Sequence, residues 1–134
     1  MSYATMIAGL CALPVAGVKR VLDYQPTQAN TADLPLLFPS LPRGEHRVAT
    51  LTGGMDLPVM RVNLAILVEP TLQGRAEPTW EKCVALIDAQ IETLDGAVLT
   101  VGVVGYSTRL EVYTFGAGDN ATAYWTLVTE VEVQ

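Results

Sequence analysis

LPVMRVNLAILV, residues 57–68, decides how this chain is read. Met60, Val62, Leu64, Ile66 and Val68 form one unbroken apolar face at a period of two, the repeat of a β-strand. The opposite face carries Val59, Arg61, Asn63, Ala65 and Leu67 and is mixed. Such a strand belongs in the middle of a sheet, with helices against its apolar side. Working backwards, residues 47–52 make a second strand. The Gly53–Gly54 turn region joins the two as a β-hairpin with a loose tip.

Working forwards, residues 70–79 form a connecting loop with Gly74 and Pro78 as breakers. Pro78 suits the first turn of a helix, where its missing N–H costs nothing. Trp80, Cys83, Val84, Ile87, Ile91 and Leu94 then recur at helical spacing, while Glu81, Asp88 and Glu92 fall off that stripe toward water. Asp95–Gly96 supplies the stop. The last third reads as β: strands at 97–104 and 108–115 broken around Gly105, a turn at 116–120, and a final strand at 123–133. That final strand has Trp125, Leu127, Val131 and Val133 on one face and Glu130 and Glu132 on the other.

Upstream, Tyr3, Met6, Ile7, Leu10 and Leu13 predict a short helix capped by Ser2 and ended by Pro14 and Gly17. A strand from Val18 to Tyr24 and a polar loop over 25–33 follow. LPLLFPSLP, residues 34–42, is apolar but holds Pro35, Pro39 and Pro42, which cannot donate to a ladder. That places it at a sheet edge or outside the regular sheet. The elements together predict a single α+β domain over residues 1–134: a largely antiparallel sheet with two helices packed on one face.

Catalytic equipment is scarce. The 134 residues include one histidine, His46, and two cysteines, Cys11 and Cys83. The side chains most used for acid/base work, metal binding and nucleophilic attack are nearly missing. His46 lies beside Glu45 in a predicted turn, without the HxxxH or HExxH spacing of a metal site. Ser107 and Thr108, near Tyr106, lack a G-x-S-x-G elbow and read as a polar turn. Gly102, Gly105, Gly116 and Gly118 form no phosphate cradle. Asp88 and Glu92 share a helical face, where solvation is the plain reading. Asn120-Ala121-Thr122 matches a glycosylation acceptor by chance. Trp80 and Trp125 read as core or interface anchors. The chain is expected not to be an enzyme and to need no metal or cofactor.

Half of the residues are hydrophobic and only 16% are charged, which suits a part that hides surface in an assembly. A formal charge of −6, with the basic residues scattered, speaks against a free-standing nucleic-acid binder. Two distant cysteines make no disulfide framework and fit a reducing compartment. The apolar start MSYATMIAGLCALPVAG has no basic residue ahead of it and is interrupted by Gly9 and Pro14. Neither a signal peptide nor a membrane span is expected.

The layout as a whole resembles the small neck and tail-completion proteins of long-tailed bacteriophages, tail terminators in particular. The likeness is carried by the opening helix ending at Ala12–Leu13–Pro14, GVKRVLDYQP at 17–26 and ADLPLLFPSLP at 32–42. VMRVNLAILV at 59–68, TWEKCVALIDAQIETL at 79–94 and WTLVTEVEV at 125–133 complete the order. The resemblance implies a virion protein of the tail or neck, assembled in the host cytoplasm into a homohexameric ring. The ring would stop polymerisation of the tail tube and join tail to head. Its partners would be copies of itself, the tail-tube protein and head–tail connector proteins, with DNA passing through the lumen without specific binding and no membrane involved. Ring and axial contacts are expected at Gln25, Gln28, Asn30, Asp33, Met55, Asp56, Leu72, Gln73 and Arg75, and Glu130 and Glu132 are expected to face the channel. Within the same class stand a head-completion or stopper protein and a minor tail subunit. From other classes come a small peptide- or ligand-binding module with LPLLFPSLP as a groove wall, and an enzyme built on His46 and a carboxylate.

Overall fold

A computed structural model describes residues 3–40, 48–50, 58–71, 76–98, 101–116 and 121–133. The chain opens with helix α1 (Tyr3–Cys11), strand β1 (Arg20–Val21) and a single 3-10 turn (Thr31–Asp33). Strands β2 (Leu36–Ser40), β3 (Val48–Thr50) and β4 (Pro58–Pro70) follow. Helix α2 (Ala76–Gly96) and strands β5 (Val103–Phe115) and β6 (Thr122–Val133) complete it. Five strands lie in the order β1-β2-β4-β6-β5, and β3 pairs with β4. Only β1 and β2 run parallel. The α+β class, the mainly antiparallel sheet and the two helices on one face are as the sequence predicts.

β4 is the centre, as its alternation requires. Val62, Leu64, Ile66 and Val68 are buried beneath the helices. Val62 and Leu64 meet Met6 and Leu10 of α1 and Leu94 of α2, while Ile66 and Val68 meet Cys83 and Leu86 of α2. The β3–β4 pairing, Val48 with Met60 through Thr50 with Pro58, is the expected hairpin, and its tip lies outside the described residues.

The segment 34–42 departs from expectation. Residues Leu36–Ser40 are wholly buried and form β2, inside the sheet between β1 and β4. The proline argument holds only locally. β1 pairs with Leu36 and Leu37 alone, so Pro39 lies past the end of β1 and owes no N–H on that side. The Leu34–Pro35 peptide is cis, and the Pro35 carbonyl accepts from the Lys19 and Arg20 amides. β1 is correspondingly shorter than the expected strand from Val18 to Tyr24.

Two further corrections concern the second half. Ala97, Val98 and Val101 lie in turns, and 103–115 are one continuous strand. Gly105 does not break it, because the irregularity is absorbed as a register shift between Val103 and Gly105. On α2, the side buried against the sheet is Thr79, Cys83, Leu86, Gln90 and Leu94, whereas Trp80, Val84 and Ile91 are exposed. Trp80 is therefore not a core anchor.

The face away from the helices is also buried. Phe38, Ala65, Leu67 and Tyr124 pack there with Leu22, Ala29 and Leu34 from the chain before β2. Ser40 and Tyr113 share a hydrogen bond of 3.3 Å, although their strands are separated by β4 and β6. By register Ser40 aligns through Asn63 and Glu130 with Ser107. In a flat sheet the Cα atoms of Ser40 and Tyr113 would then lie about 25 Å apart. The sheet must curl over this face, bringing the far half of β5 toward β2. Ala65 and Val128 supply the small centre, and Phe38, Tyr113, Phe115 and Tyr124 close the concave side, with ring centroids 5.8–6.4 Å apart.

Candidate functional site

The curl leaves β5 as one margin of the sheet. Among the described residues β6 is its sole strand neighbour, and Ser107–Leu110 are exposed on both faces. On the helix side, Leu110 and Val112 are 53% and 46% exposed, a large fraction for aliphatic side chains on a strand. The outer flank of α2 faces the same space with Trp80, 71% exposed, and Val84. Between them runs an apolar groove of about 460 Å³, lined by Trp80, Val84, Ile87, Leu110, Trp125 and Leu127 among others. The helix covers β4 and β6 and meets β5 only at its start, where Val103 packs with Leu94 and Tyr106 bonds Asp95, so the groove is the uncovered part of the helix-side face farther along β5.

Charge is distributed around this feature in pairs. Arg109 and Glu111 lie two residues apart on the exposed strand, with Nε to Oε1 at 2.5 Å. The Glu111 hydrogen bond raises the Arg109 guanidinium above its ordinary range, with burial opposing it. At the start of α2, Glu69 accepts from Thr79 Oγ1 and from Lys82 Nζ at 2.8 Å, tying the end of β4 to the first turns of the helix. Burial alone would raise the Glu69 carboxyl, but these hydrogen bonds and the Lys82 charge outweigh it and hold it below the usual range. Glu77, Glu81, Asp88 and Glu92 stand exposed along the solvent side of α2.

The residues expected to face a channel, Glu130 and Glu132, lie on the sheet face away from the helices. There Arg61 Nε is 3.4 Å from Glu130 and 3.2 Å from Glu132, so part of their charge is answered within the chain. Of the expected contact residues, Gln25, Gln28 and Asn30 are exposed and Asp33 half-buried. Asn30 caps the 3-10 turn by accepting from the Ala32 amide, and Asp33 pairs with Arg20 at 2.9 Å. These two therefore hold the chain's own turn. Met55, Asp56, Leu72, Gln73 and Arg75 lie outside the described residues, as does His46.

Several other polar groups bond within the chain. Tyr106 Oη donates to Asp95 at 2.9 Å, and this bond raises its pKa. Thr129 donates to Gln90 Oε1 at 2.6 Å and bonds Thr108 at 2.9 Å, a polar chain beneath α2. Burial, aided by Asp23, pushes the Cys11 thiol up to about 11. Burial, aided by Glu69, raises Cys83. Both cysteines are free thiols and poor nucleophiles at neutral pH. Among the described residues, no three His, Cys, Asp or Glu side chains are grouped to hold a metal ion. No helix of the described residues is long and apolar enough to cross a membrane.

No protein-family model matches this chain, and no curated protein matches it. Its function has to be argued from the edge and the groove. Sequence reasoning missed both. Alternation of Thr108, Leu110 and Val112 with Arg109 and Glu111 marks a strand with an apolar side, but nothing local says that no helix covers that side. Segment 36–40 does not serve as a groove wall, because it is buried within the sheet.

Proposed function

We propose that this chain is a structural subunit, acting by contact with copies of itself and with neighbouring components. The specific role we assign is the one its layout implies: a ring-forming virion part at the head-proximal end of a long phage tail. There it would end tail-tube growth and join the tube to the head connector. The single observation that supports an assembling role is the combination at β5: a long strand with β6 as its sole strand neighbour among the described residues, beside an apolar groove. Native proteins blunt free sheet margins with short strands, lysines or prolines. β5 has thirteen residues, contains neither Lys nor Pro, and exposes Leu110 and Val112. An acidic chain would also let DNA pass through a lumen without sticking.

Light scattering of the purified protein, with negative-stain microscopy in the presence of tail tubes, tests the role. Rings, and tubes capped at one end, are expected. A monomer at every concentration that leaves tubes uncapped refutes it. The groove favours one second reading, a peptide-binding module, since its volume and apolar lining suit a short apolar segment. A monomer whose melting temperature rises with such a peptide would favour that reading instead.

A further inference from the structure

We propose that β5 pairs with β5 of a second copy of this chain, antiparallel and centred on Leu110, so that two sheets join into one across a two-fold axis. The inference rests on β5 being an assembly surface. It does not depend on the ring or on the phage role.

The charges on the strand select the register. A two-fold axis perpendicular to the sheet keeps the helix faces on the same side, so paired residues must share a face. The strand can then be centred on a residue, and each choice sets who faces whom. Centred on Arg109, the two Arg109 guanidinium groups oppose each other. Centred on Glu111, the two carboxylates do. Centred on Leu110, Arg109 of each copy faces Glu111 of the other, giving two opposite-charge cross-strand pairs. In this register the strands overlap from Gly105 to Phe115 and match along their length. Thr108 faces Val112, Ser107 faces Tyr113, and Tyr106 faces Thr114.

Exposure agrees with the same centre. Ser107–Leu110 are open on both faces, so the middle of the strand is reachable. On the helix side Leu110 meets its own copy, while Val112 covers Thr108, removing the exposed aliphatic pair from water. The Arg109–Glu111 bond within each strand becomes part of a four-charge cluster of alternating sign. A strand margin holds one neighbour at a time, so a ring contact made through β5 would have to displace this pairing. The pair thus shields the margin until a higher-order partner competes for it.

Charge reversal in two complementary variants tests the register. Arg109→Glu places only carboxylates at the contact, and Glu111→Arg places only guanidinium groups. Each alone should weaken self-association about tenfold or more in sedimentation velocity, with far-UV circular dichroism melts showing that each still folds. Mixed in equal amounts, the two should associate with each other, since an acidic strand then meets a basic one. Native mass spectrometry reads that heterodimer directly. Neither variant keeps the internal Arg109–Glu111 bond, so recovery on mixing cannot come from within one chain. Wild-type dimers that ignore both substitutions, or a mixture that stays dissociated, overturn the pairing. Hexameric rings unaffected by either substitution overturn the pairing and leave the ring reading intact. A wild-type monomer at all concentrations refutes both.

Discussion

Replacing Phe38 by alanine is the sharpest test of the fold that presents β5. Phe38 is fully buried on β2, with its ring centroid 6.2 Å from that of Tyr113 and 6.4 Å from that of Phe115. Buried Phe→Ala changes cost about 3–5 kcal/mol through lost transfer energy and the cavity left behind. Two aromatic contacts, worth about 0.5–1.5 kcal/mol each, place this site toward the upper end. A loss of about 4 kcal/mol is therefore expected, out of a total of roughly 5–15 kcal/mol for a typical domain. The assay is urea unfolding followed by far-UV circular dichroism, comparing midpoints at a common slope. Because the same ring holds the curl of the sheet, the variant should also expose Tyr113 to solvent quenchers before global unfolding. A loss below about 1 kcal/mol would mean that residues 36–40 lie at an exposed margin. The concave face, and the position of β5 with it, would then be wrong.

Other outcomes follow from individual contacts. Gln90 is buried against the sheet with Nε2 lacking a partner among the described residues, while its Oε1 accepts from Thr129, which keeps Thr108 as a second partner. Gln90→Leu trades an unpaired donor for one lost bond and should change stability by less than about 1 kcal/mol in thermal melts; a loss above about 2 kcal/mol would refute the account of that amide. Gly17 holds φ at +90° and an added Cβ would come within 3.3 Å of Leu86 Cδ2, so Gly17→Ala should cost about 1–2 kcal/mol in urea unfolding, and a neutral result would contradict that tight approach. Glu69 has a lowered pKa in the folded state, so its contribution is full above the ordinary carboxylate range and is lost as pH falls through the folded value. Glu69→Gln should cost about 1 kcal/mol at neutral pH, and the gap to wild type should close in acid; a gap that widens would reverse the assignment. Trp80→Ala, at an exposed site, should change folding stability by less than about 1 kcal/mol in a melt while weakening assembly in sedimentation.

How much of this was legible depends on where the deciding information lies. The alternation of 57–68 places β4 at the centre because periodicity is local and both faces of a strand follow from it. Half of the apolar stripe expected on α2 faces the sheet: Cys83 and Leu94 are buried there and Ile87 packs beside the core. Trp80, Val84 and Ile91 are apolar by type but turned outward, and Gln90 and Thr79, polar by type, face the sheet. A helix lying over β4 and β6 sets that rotation, and the sheet is built from strands far away in sequence. Proline misled at 34–42, since Pro39 is tolerated only because β1 is two residues long, a fact of pairing. The open margin of β5 was invisible for the same reason. Which strand ends a sheet is a property of strand order, and Val103–Phe115 alone does not encode it.

Amide hydrogen exchange along β5, measured across a wide range of protein concentration, bears most directly on the claim that this chain works through its free margin. The outward-facing amides between Ser107 and Val112 should slow markedly as concentration rises, while those of β4 stay protected throughout. Amides on β5 that exchange equally fast at every concentration, in a particle whose mass never grows, would contradict it.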